Sequence, residues 1–341
     1  MSMIIAESLT KQFSRESRPA VDAVSFTVEP GELIVLLGPS GCGKTTLLKM
    51  INRLYEPTGG TLLIDGVDAR SLPVTQLRRR IGYAIQQTGL FPHLRVEQNI
   101  AVVPQLLGWA RPRIEARTNE LLDLVGLPCD FRGRYPHQLS GGQQQRVGLA
   151  RALAADPAIM LMDEPFGALD AITRSRLQDE LLGIQRKLHK TILFVTHDIE
   201  EALRLADRII VMNDGRIAQF DTPLAILTCP SNRFVEQLTG ANDVLRRLSL
   251  LTVAAALGHG RRSAAAAGAV ADLPPLRPQD DLRFALTQLL GAGESSLPVI
   301  DDGREVGQLT LADLRAILPQ TIAAVGASQD GCNVAGAAPQ T

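Results

Sequence analysis

The sequence predicts an α/β fold in which helices cover a parallel sheet, with an antiparallel β layer, a helical insertion and a small C-terminal α+β region. Three observations predict this fold. Apolar runs of strand length at 33–37 and 159–162 are typical of buried parallel strands. Residues 3–30 have the pattern of short strands with turns, whereas 91–138 have mainly helical spacing. A strand, a turn and a second strand return from residue 297.

A glycine-rich segment follows the first apolar strand. Residues 38–45 read G-P-S-G-C-G-K-T and fit the pattern G-x-x-x-x-G-K-[ST], between a strand and a helix start. Glycines let backbone N–H groups wrap a phosphate, and the helix N-terminus adds partial positive charge. We expect Lys44 to reach the β- and γ-phosphates of ATP and the Thr45 hydroxyl to bind Mg²⁺. The predicted nucleotide-binding residues here are Gly38, Pro39, Ser40, Gly41, Cys42, Gly43, Lys44, Thr45 and Thr46.

Two carboxylates end the second apolar strand. Asp163 and Glu164 follow residues 159–162, and ligands of α/β proteins bind at the carboxyl ends of such strands. Burying two acids there is costly without a cation. We predict that Asp163 binds Mg²⁺ directly or through water, and that Glu164 is the general base for an attacking water. A solvent-exposed pair of acids is the alternative.

Between these two motifs, residues 139–143 read L-S-G-G-Q and precede an amphipathic helical run that extends to Leu153. Ser140, Gly141, Gly142 and Gln143 can present a hydroxyl and backbone N–H groups to an anion. Taken alone, this segment favours the simpler interpretation of Ser140 as a helix N-cap with a flexible turn.

Together these motifs resemble the ATPase domain of ATP-binding cassette (ABC) proteins, over roughly residues 3–240. The segment 139–143 is similar to the family signature. Gln86 resembles the Q-loop glutamine, residues 167–170 resemble the D-loop, and His197 resembles the switch histidine. The resemblance implies a P-loop NTPase fold of the ABC type.

The resemblance also implies the roles of single residues. Gln86 is expected near Mg²⁺ and the attacking water, where it senses the membrane partner, and His197 is expected at the γ-phosphate; alone, His197 could be structural. Phe13 occupies the place where the family stacks an aromatic ring on adenine, but it could equally be a core residue. The catalytic residues expected are Lys44, Gln86, Glu164 and His197. The Mg²⁺ ligands expected are Thr45, Gln86 and Asp163.

In this family two cassettes pair head to tail, so each ATP is expected between the phosphate loop of one copy and residues 140–143 of the other. The implied partners are therefore a second copy, transmembrane permease subunits and, indirectly, an extracytoplasmic substrate-binding protein. The helical subdomain, about residues 91–150, is expected to contact the permease. ATP binding closes the pair and hydrolysis reopens it, which drives alternating access in the permease.

Composition limits the partners and the location. The chain has 341 residues, with 35 basic and 36 acidic side chains, which argues against a broad nucleic-acid-binding surface. The four cysteines, at 42, 129, 229 and 332, have neither zinc nor disulfide spacing and fit a reduced cytosolic location. No signal peptide and no membrane-spanning apolar run is recognised. We expect a peripheral protein on the cytoplasmic face of the bacterial inner membrane.

A composition shift near residue 240 ends the predicted ATPase domain. Residues 241–275 are interpreted as a linker or a degenerate CBS remnant, and 276–320 resemble a single CBS motif. CBS motifs usually bind adenosine compounds or sense ionic conditions in pairs, so a structural dimerisation appendage is the alternative. Residues 321–341 are predicted to be disordered.

Three features resemble the importer ATPases for glycine betaine, choline, carnitine or proline. They are the run 163–174, the D-T-P at 221–223 followed by Ile226-Leu227, and the CBS-like tail. An importer ATPase for an amino acid, a polyamine or an anion remains an alternative. So do a soluble ABC ATPase of translation or DNA repair and a nucleotide-sensing regulator, although translation factors usually carry two cassettes and repair proteins a long coiled coil.

Overall fold

The computed structural model describes residues 2–14, 17–85, 89–167, 169–241, 243–257 and 275–317. The chain divides into two compact units, Met1–Asp221 and Thr222–Thr341. Within the described residues, no helix is both long and apolar enough to cross a membrane.

The first unit is an α/β structure with two sheets. Its strands are β1 (Ile4–Lys11), β2 (Val21–Val28), β3 (Leu33–Leu37), β4 (Gly59–Ile64), β5 (Val67–Asp68), β6 (Ile81–Ala84), β7 (Ile159–Asp163), β8 (Thr191–Thr196), β9 (Arg208–Asn213) and β10 (Arg216–Asp221). Its α-helices are α1 (Lys44–Ile51), α2 (Val74–Arg80), α3 (Val96–Leu106), α4 (Arg111–Leu124), α5 (Gly141–Leu153), α6 (Ala171–Leu188) and α7 (Ile199–Leu205).

The main sheet has the strand order β10-β9-β3-β8-β7-β6. All neighbours pair in parallel except β10, which is antiparallel to β9. Every residue of β3, β7 and β8 is buried. Uninterrupted apolar runs are expected for strands covered on both faces, because no side chain of such a strand meets water.

The second sheet of this unit is the antiparallel layer, in the order β2-β1-β4-β5. Its inward side chains, such as Leu9 and Val24, belong to one core with Leu47 and Ile51 of α1 and Ile34 of β3. Helix α1 therefore contributes side chains to a core shared by the two sheets. Close packing in this core fixes the position of α1 and therefore of the loop that leads into it.

The helical insertion runs between β6 and β7. Helix α3 packs on α4 and α5. The buried side chain of Asn99 accepts a hydrogen bond from the backbone N–H of Phe91 at 2.8 Å and donates to the carbonyl of Leu94 at 3.0 Å, which fixes the turn before α3. As predicted, this region is mainly helical. Pro112 lies in the first turn of α4, where a missing N–H is tolerated.

The second unit is a small α+β structure. It consists of α8 (Pro223–Thr228), α9 (Arg233–Thr239), α10 (Val244–Ser249), α11 (Val253–Leu257), α12 (Leu282–Ala292), β11 (Ser296–Asp301), β12 (Arg304–Thr310) and a helical segment at 311–317. Strands β11 and β12 form an antiparallel pair. Its buried core includes Leu248, Val253, Ala256, Leu282, Leu289, Leu297, Val299 and Leu309.

This unit differs from the expectation in two places. The boundary lies at Asp221, earlier than residue 240, because Leu224 of α8 packs against the core of the second unit. Of the two interpretations of residues 241–275, the linker is wrong for 243–257, since α10 and α11 bury Leu248 and Val253 in the same core as α12. The degenerate CBS remnant stays a prediction. Residues 258–274 and the predicted disordered tail lie outside the described residues. The CBS-like identity of 276–320 stays a prediction.

Candidate active site

The candidate site lies where three neighbouring strands of the main sheet end. Leu37, the last residue of β3, pairs with Thr196 of β8, and Asp163 of β7 pairs with Val195 of β8. The glycine-rich segment follows Leu37, and His197 follows Thr196. Because parallel strands end at the same edge of a sheet, motifs more than 100 residues apart in the chain, at 38–45 and 163–164, meet at this edge.

The phosphate-loop segment forms a cradle around the buried ammonium of Lys44. Lys44 Nζ donates to the carbonyl oxygens of Gly38 at 2.7 Å and Pro39 at 2.9 Å. Helix α1 begins at Lys44 and its N-cap residue is Gly43, which has no side chain to cap the helix. The first N–H groups of α1 therefore have no side-chain acceptor from the cap position and can serve an anion.

Glycine is required at two positions of this cradle. A Cβ on Gly43, whose φ is 105°, would lie 2.3 Å from the carbonyl oxygen of Ala20. A Cβ on Gly38 would lie 2.4 Å from the carbonyl oxygen of Met212. Both contacts are with backbone, so a side chain would displace the loop. Cys42 is buried beneath this loop, and burial raises the pKa of its thiol although nearby Lys44 opposes the shift.

Thr45 and Asp163 meet directly. The Thr45 hydroxyl donates to Asp163 Oδ1 at 2.9 Å, and Asp163 is buried. Burial raises the pKa of Asp163, while the bond from Thr45 and the nearby charge of Lys49 partly offset the shift. Sequence reasoning missed Lys49. Its signal was its position one helical turn after Thr45, which places both on one face of α1.

The hydroxyl and carboxylate oxygens fit a hard cation such as Mg²⁺, which takes few protein ligands and completes its shell with water and phosphate. Among the described residues there is no cluster of three or more His, Cys, Asp or Glu side chains that could enclose a metal by themselves.

Glu164 and His197 form the other half of the site. His197 Nδ1 lies 3.3 Å from Glu164 Oε1, and the imidazole is largely exposed. Glu164 has a φ of 45°, in the left-handed region that residues other than glycine rarely adopt. Its backbone N–H donates to the carbonyl of Val195 at 3.0 Å, so β8 holds this conformation. Backbone strain of this kind is concentrated at functional sites.

The signature residues lie at the start of α5 and line a cavity there. Ser140 is the N-cap of α5 and forms a capping box with Gln143, so the N-cap interpretation left open by the sequence is correct. Residues 140–143 line a cavity of about 540 Å³ together with Asp170, the last residue of the D-loop, and Thr173 of α6. None of the phosphate-loop residues lines this cavity. The predicted site residues thus form two groups on one unit.

Phe13 and Gln86 are the two remaining residues expected at the site. Phe13 is half-buried and makes an edge-to-face contact with Tyr55 at 5.3 Å between ring centroids, with Lys11 Nζ 5.2 Å from its ring. It is therefore a partly exposed ring and not a core phenylalanine. Gln86 lies outside the described residues, so its role stays a prediction.

Asp163→Asn should make the nucleotide-free protein more stable at neutral pH. The ionised carboxylate is disfavoured by burial, whereas the neutral amide can still accept the Thr45 hydrogen bond. A carboxyl whose pKa is raised on folding contributes stability at low pH and loses it as the pH rises through the raised pKa. Calorimetric melting from about pH 4 to about pH 8 should therefore show the advantage of the variant growing with pH. A pH-independent difference would contradict the raised pKa.

Comparisons with known proteins agree with this geometry. A family model described as ABC transporter matches residues 21–167. The chain is 49% identical to the glycine betaine uptake system ATP-binding protein YehX of Escherichia coli (strain K12), over 92% of this chain and 99% of that protein. It is 44% identical to the osmoprotectant import ATP-binding protein OsmV of Salmonella typhimurium, over 90% of this chain and 94% of the relative.

Among solved structures, the chain is similar to the ATP-binding cassette MJ0796, a dimer in a post-hydrolysis state bound to ADP and Pi. The TM-score is 0.59 and the identity 35%, over 65% of this chain and 99% of that one. The resemblance and the fold class predicted from the motifs are confirmed. The extended identity to ATP-binding proteins, together with the site at the ends of β3, β7 and β8, shows that the chain belongs to the ABC transporter family as an ATPase subunit coupled to transport.

Proposed function

We propose that this chain is the ATP-hydrolysing subunit of an importer for quaternary-amine and related osmoprotectants, such as glycine betaine, choline, carnitine and proline. The observation that carries the proposal is the 49% identity to a glycine betaine uptake ATP-binding protein over nearly the whole of both chains. The matched residues cover nearly the whole relative, so they include its C-terminal region. Importer ATPases for other solutes need not share that region, and the match therefore favours this substrate class. The alternatives, another small solute or a role outside transport, have no comparable support.

In the proposed reaction the phosphate loop binds ATP. Lys44, already held by two backbone carbonyls, donates to the β- and γ-phosphates. Thr45 and Asp163 are the residues that would hold a magnesium ion, which would neutralise phosphate charge. Glu164 orients the attacking water and accepts its proton, and the adjacent His197 contacts the γ-phosphate. Gln86 is assigned to the metal and water region and Phe13 to adenine, as the family resemblance implies.

The proposed working unit is a head-to-tail homodimer. Residues 140–143 line a cavity with no phosphate-loop residue, which supports an arrangement in which the signature completes the site of the other copy. Dimers are also found for the similar cassette MJ0796. The remaining proposed partners are a membrane permease and, indirectly, a substrate-binding protein, with the chain on the cytoplasmic face of the inner membrane. No nucleic-acid partner is proposed.

Uptake measurements test the substrate class. Cells that lack this chain should lose high-affinity uptake of radiolabelled glycine betaine, and plasmid-borne wild-type chain should restore it. Uptake of a labelled polyamine in the same cells is the matched control and should not change. Loss of polyamine uptake with betaine uptake intact would overturn the substrate assignment and leave the ATPase assignment standing.

A further inference from the structure

Arg146 lies on α5, one turn beyond the signature, at a junction of three helices. Its guanidinium is buried, and Nη1 donates to the carbonyl oxygens of Val125 at 2.9 Å and Gly126 at 3.1 Å, at the end of α4. Its Nη2 donates to Glu180 Oε1 of α6 at 2.5 Å. A charge-assisted bond with little exposure to water is among the stronger polar contacts of a protein. The contact fixes the orientation of α5 relative to α6.

At two positions near this junction, Gly126 and Gly142, a side chain would collide with a neighbouring helix residue. A Cβ on Gly126, whose φ is 63°, would lie 2.8 Å from Arg146 Nη1. A Cβ on Gly142, within the signature, would lie 2.9 Å from the Cγ2 of Thr173 in the first turn of α6. The signature end of α5 therefore packs directly on the start of α6. A tilt of α5 would disturb both contacts.

Helix α6 is in turn fixed to the catalytic end of the same copy. Arg174 donates to Asp198 Oδ2 at 3.2 Å, and Asp198 follows His197. One turn later, buried Gln178 donates to Glu201 Oε1 of α7 at 3.0 Å. Arg146 therefore links the signature helix to α6, and α6 is linked to the segment that follows His197.

We propose that Arg146 and Glu180 are positioning residues, which hold residues 140–143 in the orientation required by the nucleotide of a second copy. The proposal rests on the head-to-tail dimer of the proposed function. Neither residue lines the phosphate loop, so the pair acts on nucleotide-dependent closure of the dimer and not on nucleotide binding by a single copy.

The test compares Glu180→Ala, Glu180→Gln and the control Asp179→Ala in the full chain carrying Glu164→Gln. Asp179 neighbours Glu180 on α6 and forms an exposed ion pair with Arg204. Sedimentation measures the ATP concentration needed for dimerisation, and calorimetry measures ADP binding by the monomer. Glu180→Ala should raise the ATP concentration needed for dimerisation about tenfold, because one charge-assisted hydrogen bond usually contributes a free energy of that size. The affinity of the monomer for ADP should not change. Glu180→Gln keeps an acceptor oxygen and should recover most of the loss.

The outcomes separate the two proposals. If the chain that carries only Glu164→Gln fails to dimerise with ATP, the proposed head-to-tail dimer is wrong, and the positioning role is wrong with it. If that chain dimerises and Glu180→Ala behaves like Asp179→Ala, only the positioning role is overturned. A parallel loss of ADP affinity and dimerisation in Glu180→Ala would show a general structural role and would equally overturn the proposal.

Discussion

Glu164→Gln should lower ATP turnover by on the order of 10²–10³ and leave ATP binding intact. Glutamine has nearly the shape of glutamate and can keep the contact that Oε1 makes with His197 Nδ1 at 3.3 Å. It cannot accept a proton from water, so only the general-base step is removed. Steady-state hydrolysis by the purified transporter complex, with calorimetric ATP titration of the chain, measures the two effects separately.

The control is Glu120→Gln, the same chemical change at an exposed position of α4 where Glu120 pairs with Arg117. That variant should hydrolyse ATP at the wild-type rate, because the Glu120 side chain is exposed and lies outside the candidate site. Near-normal turnover in Glu164→Gln would reject the assignment of Glu164 as the base. Loss of ATP binding would instead assign it to nucleotide affinity.

Lys44→Ala should weaken ATP binding by about 10- to 100-fold, the amount expected when a charge-assisted contact to phosphate is lost. The ammonium is buried and is held by the carbonyl oxygens of Gly38 and Pro39, so it is already oriented before nucleotide arrives. Its removal also leaves those two carbonyl oxygens without this donor. Calorimetric titration of the full chain with Mg-ATP gives the affinity directly.

Lys187→Ala provides the matched control, since Lys187 is an exposed lysine in the last turn of α6. It should bind ATP as the wild type does. An unchanged affinity in Lys44→Ala, with a correctly folded protein by circular dichroism, would refute the role of the phosphate loop.

Much of the first unit could be predicted because its signals are local. Strands β3 and β7 are buried on both faces, so their sequences are continuous apolar runs, and the glycine loop between β3 and α1 has a fixed pattern. Strand order could not be predicted, because hydrophobic periodicity does not record which strands pair. For residues 243–257 the sequence left two interpretations open, a linker or a degenerate CBS remnant. The two helices within this segment are short, and burial of Leu248 and Val253 in tertiary contacts stabilises them.

The candidate site shows the same limit. The phosphate loop and the acid pair were predicted at the correct strand ends, because each is one short segment next to a buried strand. Arg146 and Arg174 were missed, since an arginine on an amphipathic helix has the sequence pattern of a solvated face and only tertiary contacts show its partners. The left-handed backbone of Glu164 had no signal at all, because glutamate rarely adopts it.

The conformation of Glu164 sets a conflict for protein engineering. A glycine would relax a φ of 45° and recover on the order of 1 kcal/mol of local strain, partly offset by the greater freedom of the unfolded chain. Laboratory selection for heat tolerance alone would therefore favour variants that discard the carboxylate. Libraries built to improve the thermostability of this chain should hold codon 164 constant and screen survivors for retained transport.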